Sequence, residues 1–155
     1  MIHNDVLRSV RFMLKTDDAK LTELVKLGGG QLTRPELSAM VLREDEPGFV
    51  LCPDAVMGPF LDGLIISRRG KDESRPPRPP EKRVTNNVVL KKLRVAFELK
   101  DDDILALMAN TGFQVSKPEL SALFRSPTHH NYRPCGDQFL RNFLKGLTER
   151  VRVLP

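Results

Sequence analysis

Apolar residues recur at three- and four-residue spacing along this chain, and turn residues break the pattern at regular points. Asn4 or Asp5 suits the N-cap of a first helix, with Leu7, Val10 and Leu14 on one face and Arg8, Arg11 and Lys15 on another. Asp17 or Asp18 opens a second helix that buries Leu21, Leu24, Val25 and Leu27. Gly28-Gly29-Gly30 stops it, because glycine takes the left-handed conformation that follows a helix end. The triplet is not a phosphate loop, which needs a preceding strand and a Lys-Ser/Thr pair at the next helix. Thr33 and Glu36 read as a capping box around Pro35, starting a third helix that buries Leu37 with Met40 or Val41. An irregular stretch follows, with Phe49 as an anchor and Cys52 as a small buried side chain. Asp54 then caps a fourth helix carrying Val56, Phe60, Leu61, Leu64 and Ile65.

The same pattern then returns. Pro35-Glu36-Leu37-Ser38-Ala39 recurs as Pro118-Glu119-Leu120-Ser121-Ala122, and laying 4–67 over 87–150 without a gap matches 19 of 64 positions. Such a period marks an internal duplication. Ser116 and Glu119 repeat the capping box; Tyr132 falls on Phe49, Cys135 on Cys52, Asp137 on Asp54 and Gly146 on Gly63. Gly63 and Gly146 lie inside helices, at a cost of about 1 kcal/mol each relative to Ala, which suggests that two backbones approach closely there. The expected fold is all-α: a four-helix unit at 1–69, a Pro-rich connector at 70–86 and a second unit at 87–155, packed as one pseudo-two-fold body. A unit of about 65 residues is marginal alone, burying only about 60% of its unfolded surface. The connector holds Pro76, Pro77, Pro79 and Pro80 and favours extended polyproline II; its Pro76-x-x-Pro79 also matches the minimal ligand of adaptor domains.

Charge is the feature that separates the copies. The chain carries +5 overall, but 1–69 is −1, 70–86 is +2 and 87–155 is +4. No stretch reaches the roughly 18 apolar residues of a membrane span, and the N-terminus lacks a signal-peptide profile. Two cysteines at equivalent positions do not form a disulfide framework, so the expected setting is a reducing cytoplasm.

Catalytic patterns are lacking. No Ser-His-Asp or Cys-His signature is recognisable. His129-His130 with Cys135 and Asp137 is a poor metal set, since adjacent histidines diverge and no CxxC is present. Asp101-Asp102-Asp103 suits a helix N-terminus better than a magnesium site. The expectation is a non-enzyme with no metal and no cofactor.

Asn-Asp-x-Leu-Arg-Ser-Val-Arg at 4–11, Arg-Gly-Lys-Asp-Glu-Ser at 69–74, Asn-Asn-x-Val-Leu-Lys-Lys-Leu-Arg at 86–94 and Cys-Gly-Asp-Gln-Phe-Leu-Arg at 135–141 resemble the YehS-like family. That family comprises small bacterial proteins of unknown function with two copies of one helical repeat. The resemblance covers nearly the whole chain. It implies a bacterial cytoplasmic protein and supplies no catalytic residues.

A site present once must sit where the copies differ. Arg43-Glu44-Asp45-Glu46 in the first copy faces Ser126-Pro127-Thr128-His129 in the second. Lys117, Arg125, His129, His130, Tyr132, Arg133, Arg141 and Lys145 are therefore the candidate nucleic-acid-binding residues, holding RNA or DNA backbone without base readout. Histidines there gain charge below about pH 6.5. The stretch from Asp103 to Arg125 also loosely matches a helix-turn-helix. The alternative is a protein–protein interaction module in which these cations are a solvated face. The oligomeric state is open.

Overall fold

The computed structural model describes residues 1–71, 73–74, 79 and 81–153. Within them are eight α-helices and no strand: α1 His3–Met13, α2 Asp18–Leu27, α3 Arg34–Met40, α4 Asp54–Arg69, α5 Asn86–Ala96, α6 Asp101–Asn110, α7 Lys117–Leu123 and α8 Asp137–Val153. The eight starts recur at an offset of 83 residues (86 − 3). Two compact units result, Met1–Val84 and Thr85–Pro155. The Pro76-x-x-Pro79 motif falls largely outside the described residues.

Local chemistry accounts for most helix ends. Thr33 and Ser116 accept from the Glu36 and Glu119 amides at 3.3 and 3.2 Å, and each Glu reaches back to its cap residue's amide. The hydroxyl and amide of Thr33 hold the Glu36 carboxyl below its ordinary range. Asp17 caps α2 by accepting from the Lys20 amide at 3.0 Å. Gly29 and Gly112, at φ +92° and +80°, take the left-handed step after α2 and α6. Leu27 is not buried but 47% exposed, because α2 ends there and its last turn faces outward.

Two expected caps are corrected. Helix α1 begins at His3 with Ile2 at the N-cap, and Asp5 serves from inside the helix by accepting from the Ile2 amide at 3.0 Å. Pro53 occupies the N-cap of α4, so Asp54 is the first helical residue, where its carboxylate accepts from His3 Nε2 at 2.6 Å. Asn86 takes the His3 role in the second unit, donating to Asp137 Oδ1 at 2.8 Å and to the Cys135 carbonyl at 3.0 Å.

Asn4 is fully buried and caps nothing. Its amide group donates to the carbonyls of Met40 and Val50, both at 2.8 Å, and its carbonyl accepts from the Cys52 amide at 2.9 Å. Asn87 makes the same three bonds to Leu123, Arg133 and Cys135, at 3.0, 2.9 and 2.8 Å. One side chain thus joins the first helix of each unit to the end of the third and to the segment before the fourth. A backbone bond completes the arrangement, from Val50 N to Ala39 O and from Arg133 N to Ala122 O. Phe49 and Tyr132 are only half-buried, so the loop is pinned by asparagine rather than by its ring.

The glycines set helix separation. A Cβ on Gly63 would lie 1.7 Å from the Leu24 carbonyl oxygen, and one on Gly28 would lie 1.8 Å from the Pro59 carbonyl oxygen. Helices α2 and α4 therefore meet backbone to backbone. In the second unit Thr111 replaces Gly28, and a Cβ on Gly146 would be 2.6 Å from the Leu107 oxygen. The approach there is less close, and Phe113, after α6, meets Phe139 of α8 edge to face with centroids 5.6 Å apart.

Arg11 and Arg94 hold carboxylates as their recurrence suggests, Asp18 and Asp101 respectively, both at 2.8 Å. Asp18 also accepts from Ser38 Oγ at 2.8 Å, while Arg94 stacks 4.6 Å over the Phe124 ring. Burial pushes the Asp18 carboxyl up, but the bonds from Arg11 and Ser38 and the Arg11 charge outweigh it and leave the carboxyl below its ordinary value. Its stabilisation is then complete above about pH 4 and is lost as the pH falls through the lowered folded value. In acid titrations followed by circular dichroism, wild type should lose unfolding midpoint over that window, and Asp18→Asn should lose less. Equal acid losses would refute the pairing as a stabilising term.

Candidate functional site

The second unit carries a groove of about 620 Å³ along α7. Lys117, Arg125 and Arg133 supply its cations and Pro118 and Ala122 its apolar lining; Ser121, Asn131 and Glu119 complete it. Each part has a local cause. The capping box starts α7 at Lys117, and the Asn87 bonds with the Arg133 N to Ala122 O contact fold the 124–133 loop back beside it. Arg125 and Arg133 are thereby brought to the same helix although eight positions apart. All three cations are solvent-exposed. Lys117 Nζ lies 3.4 Å from Asp102 Oδ1, and Arg133 donates to the Tyr132 carbonyl at 3.1 Å. Glu119 is the one acidic lining residue, with Oε1 accepting from the Ser116 amide.

The remaining candidates lie off this groove. The adjacent histidines do not diverge as expected: His129 and His130 stack with ring centroids 4.5 Å apart, and His129 Nδ1 accepts from the Asn131 amide at 3.0 Å. Tyr132 is half-buried beside it. Arg141 and Lys145 are exposed on α8 and do not line the groove. Ser121 and Asn131 were not among the sequence candidates. Ser121 belongs to the repeated pentapeptide, whose shared identity reads as structural; its first-copy equivalent Ser38 is tied to Asp18.

The helix-turn-helix reading finds two helices but a poor second one. At seven residues, α7 is about 10 Å long, and its first turn is engaged by the capping box. The thiols are chemically quiet: burial, with the adjacent Asp54 and Asp137 charges, pushes Cys52 and Cys135 up to about 12. Among the described residues no group of three His, Cys, Asp or Glu side chains is placed to hold a metal ion. No helix there is long and apolar enough to cross a membrane.

Position by position, the first unit answers this groove differently. Arg34 stands at the place of Lys117, but Leu42 replaces Arg125, Gly48 replaces Asn131 and Val50 replaces Arg133. One scaffold therefore carries a basic groove in one copy and an apolar face in the other.

No solved structure matches the chain. It is 52% identical over 153 residues to the uncharacterized protein YehS of Escherichia coli (strain K12), an alignment covering 99% of this chain and 98% of that protein. The model of DUF1456, a family described as proteins of unknown function, matches at 3–70 and again at 86–152, the two repeats found in the fold. With its helical unit present twice and matched twice, the chain belongs to the DUF1456 family.

Proposed function

We propose that this is a non-catalytic bacterial cytoplasmic protein that binds nucleic-acid backbone, RNA or DNA, through the groove along α7. The observation that carries the reading is the convergence of Lys117, Arg125 and Arg133 on one groove, at positions where the first copy keeps a single cation. A fold requirement would act on both copies, whereas a ligand requirement acts on one. Guanidinium groups hold phosphate oxygens through paired donors, and Ser121 and Asn131 add neutral ones. No aromatic ring lines the groove, so the contact is with backbone and not with stacked bases.

The test is retention of the protein on mixed RNA and DNA as salt rises. Wild type should bind at low salt, and the combined Lys117→Ser, Arg125→Ser and Arg133→Ser variant should lose retention. Each phosphate contact removed should flatten the log–log salt slope by roughly 0.7–0.9. Changing Arg141 and Lys145 to Ser should leave retention in place. If wild type is not retained, or if the groove variant binds as well, the interaction-module reading takes its place.

A further inference from the structure

The first-unit counterpart of the groove faces solvent. Val50 is 47% and Leu51 59% exposed, and Leu42 is half-buried, with its side chain 3.9 Å from where a Gly48 Cβ would stand. The loop that carries this face holds Glu44, Asp45 and Glu46, all exposed, against a single Arg43. Glu46 is engaged within the loop, its Oε1 accepting from the Arg43 amide at 2.9 Å, which leaves Glu44 and Asp45 as its outward charges. Val50 and Leu51 are consecutive, exposed and in the same segment as Glu44 and Asp45, and apolar area of this kind is covered by a partner at a gain of roughly 25 cal/mol per Å².

The chain itself supplies a complementary surface. The groove of the second unit presents Arg125 and Arg133 where the first unit presents Leu42 and Val50. We infer that the acidic loop and its Leu42–Val50–Leu51 face dock into the α7 groove of a second copy, giving a heterologous self-association that occupies the proposed nucleic-acid site. The inference rests on that groove being the binding face. A heterologous contact closes into a ring or continues as a filament, and opposite charge in the contact makes it salt-sensitive.

Sedimentation velocity on the whole chain at low salt tests this. The expected result is a mass above 17.5 kDa that rises with protein concentration and falls on adding salt. Glu44→Lys with Asp45→Lys should give a monomer, and so should Arg125→Glu with Arg133→Glu. All four side chains are exposed, so both variants should keep the wild-type circular dichroism spectrum. Mixing the two should restore association, because each then meets an opposite charge. A wild type that stays monomeric at every concentration overturns the inference, as does association that survives both charge reversals. The nucleic-acid reading is separable: Glu44→Lys with Asp45→Lys keeps the groove and should be retained on nucleic acid. A monomer that is retained overturns self-association alone. Charge-dependent association of wild type, with a monomeric Glu44→Lys, Asp45→Lys variant that is not retained, overturns the nucleic-acid reading alone.

Discussion

Replacing Asn87 by Leu should unfold the second unit or bring it close to unfolding, and Asn4→Leu should do the same to the first. Each substitution keeps the branch at Cγ, with methyl groups bulkier than the amide, and removes three hydrogen bonds at once. The Leu123 carbonyl and the Cys135 amide then lose their partner in buried surroundings, and the Arg133 carbonyl loses its partner in partly buried ones. A buried donor or acceptor left unsatisfied costs roughly 1–3 kcal/mol, so three give about 3–6 kcal/mol after partial relaxation. A small domain has only about 5–15 kcal/mol in total. Asn→Asp should be no milder, because a carboxylate cannot donate to the two carbonyls that the amide group serves. Asn131→Ala, on the exposed loop, should stay within about 0.5 kcal/mol of wild type. Denaturant midpoints of the four variants measure this. An Asn87→Leu midpoint near wild type would mean that the shared asparagine is not what holds the loop.

The second large effect is expected at Gly63. Ala there places a methyl carbon 1.7 Å from the Leu24 carbonyl oxygen and 3.0 Å from the Gly28 amide nitrogen. These are backbone atoms of the neighbouring helix, so no rotamer relieves the clash and α2 must move away from α4. Overpacking of side chains costs about 1–3 kcal/mol, and a backbone clash should exceed the upper end. Gly146→Ala should cost less than Gly63→Ala, since its nearest contact is 2.6 Å. Gly58→Ala runs the other way. Its Cβ would meet only Val84 Cγ2 at 3.6 Å, an ordinary contact, while the gain in helix propensity is about 1 kcal/mol. Thermal unfolding should therefore rank Gly58→Ala above wild type, then Gly146→Ala, then Gly63→Ala. A Gly63→Ala protein as stable as wild type would refute the close approach.

The loop before the last helix shows how one frame serves two purposes. In both units a buried asparagine and one backbone bond hold it against the third helix. What the loop presents is then free to differ. Leu42 and Val50 in one copy and Arg125 and Arg133 in the other change the surface without disturbing the frame. The capping residues Thr33, Glu36, Ser116 and Glu119 lie on the frame side of this division, as their hydrogen bonds show.

By itself the sequence determined the elements and their repetition. Helical spacing, capping boxes, glycine stops and the internal match are local signals, because each acts within about one turn of the residues that carry it. The recurrence of Arg11 with Arg94 and of Gly63 with Gly146 marked an ion pair and a close approach, since a duplicated constraint leaves a duplicated residue. Only the tertiary structure decided what Asn4 and Asn87 do. Near a helix start asparagine reads as a cap, and the bonds that bury it instead reach 36, 46 and 48 residues away. The tertiary structure also sorted the cations, drawing Lys117, Arg125 and Arg133 onto one groove while leaving Arg141 and Lys145 on α8. Nearness along the chain grouped Arg133 with Arg141, but the fold of the loop onto α7 places Arg133 with Lys117 and Arg125 instead.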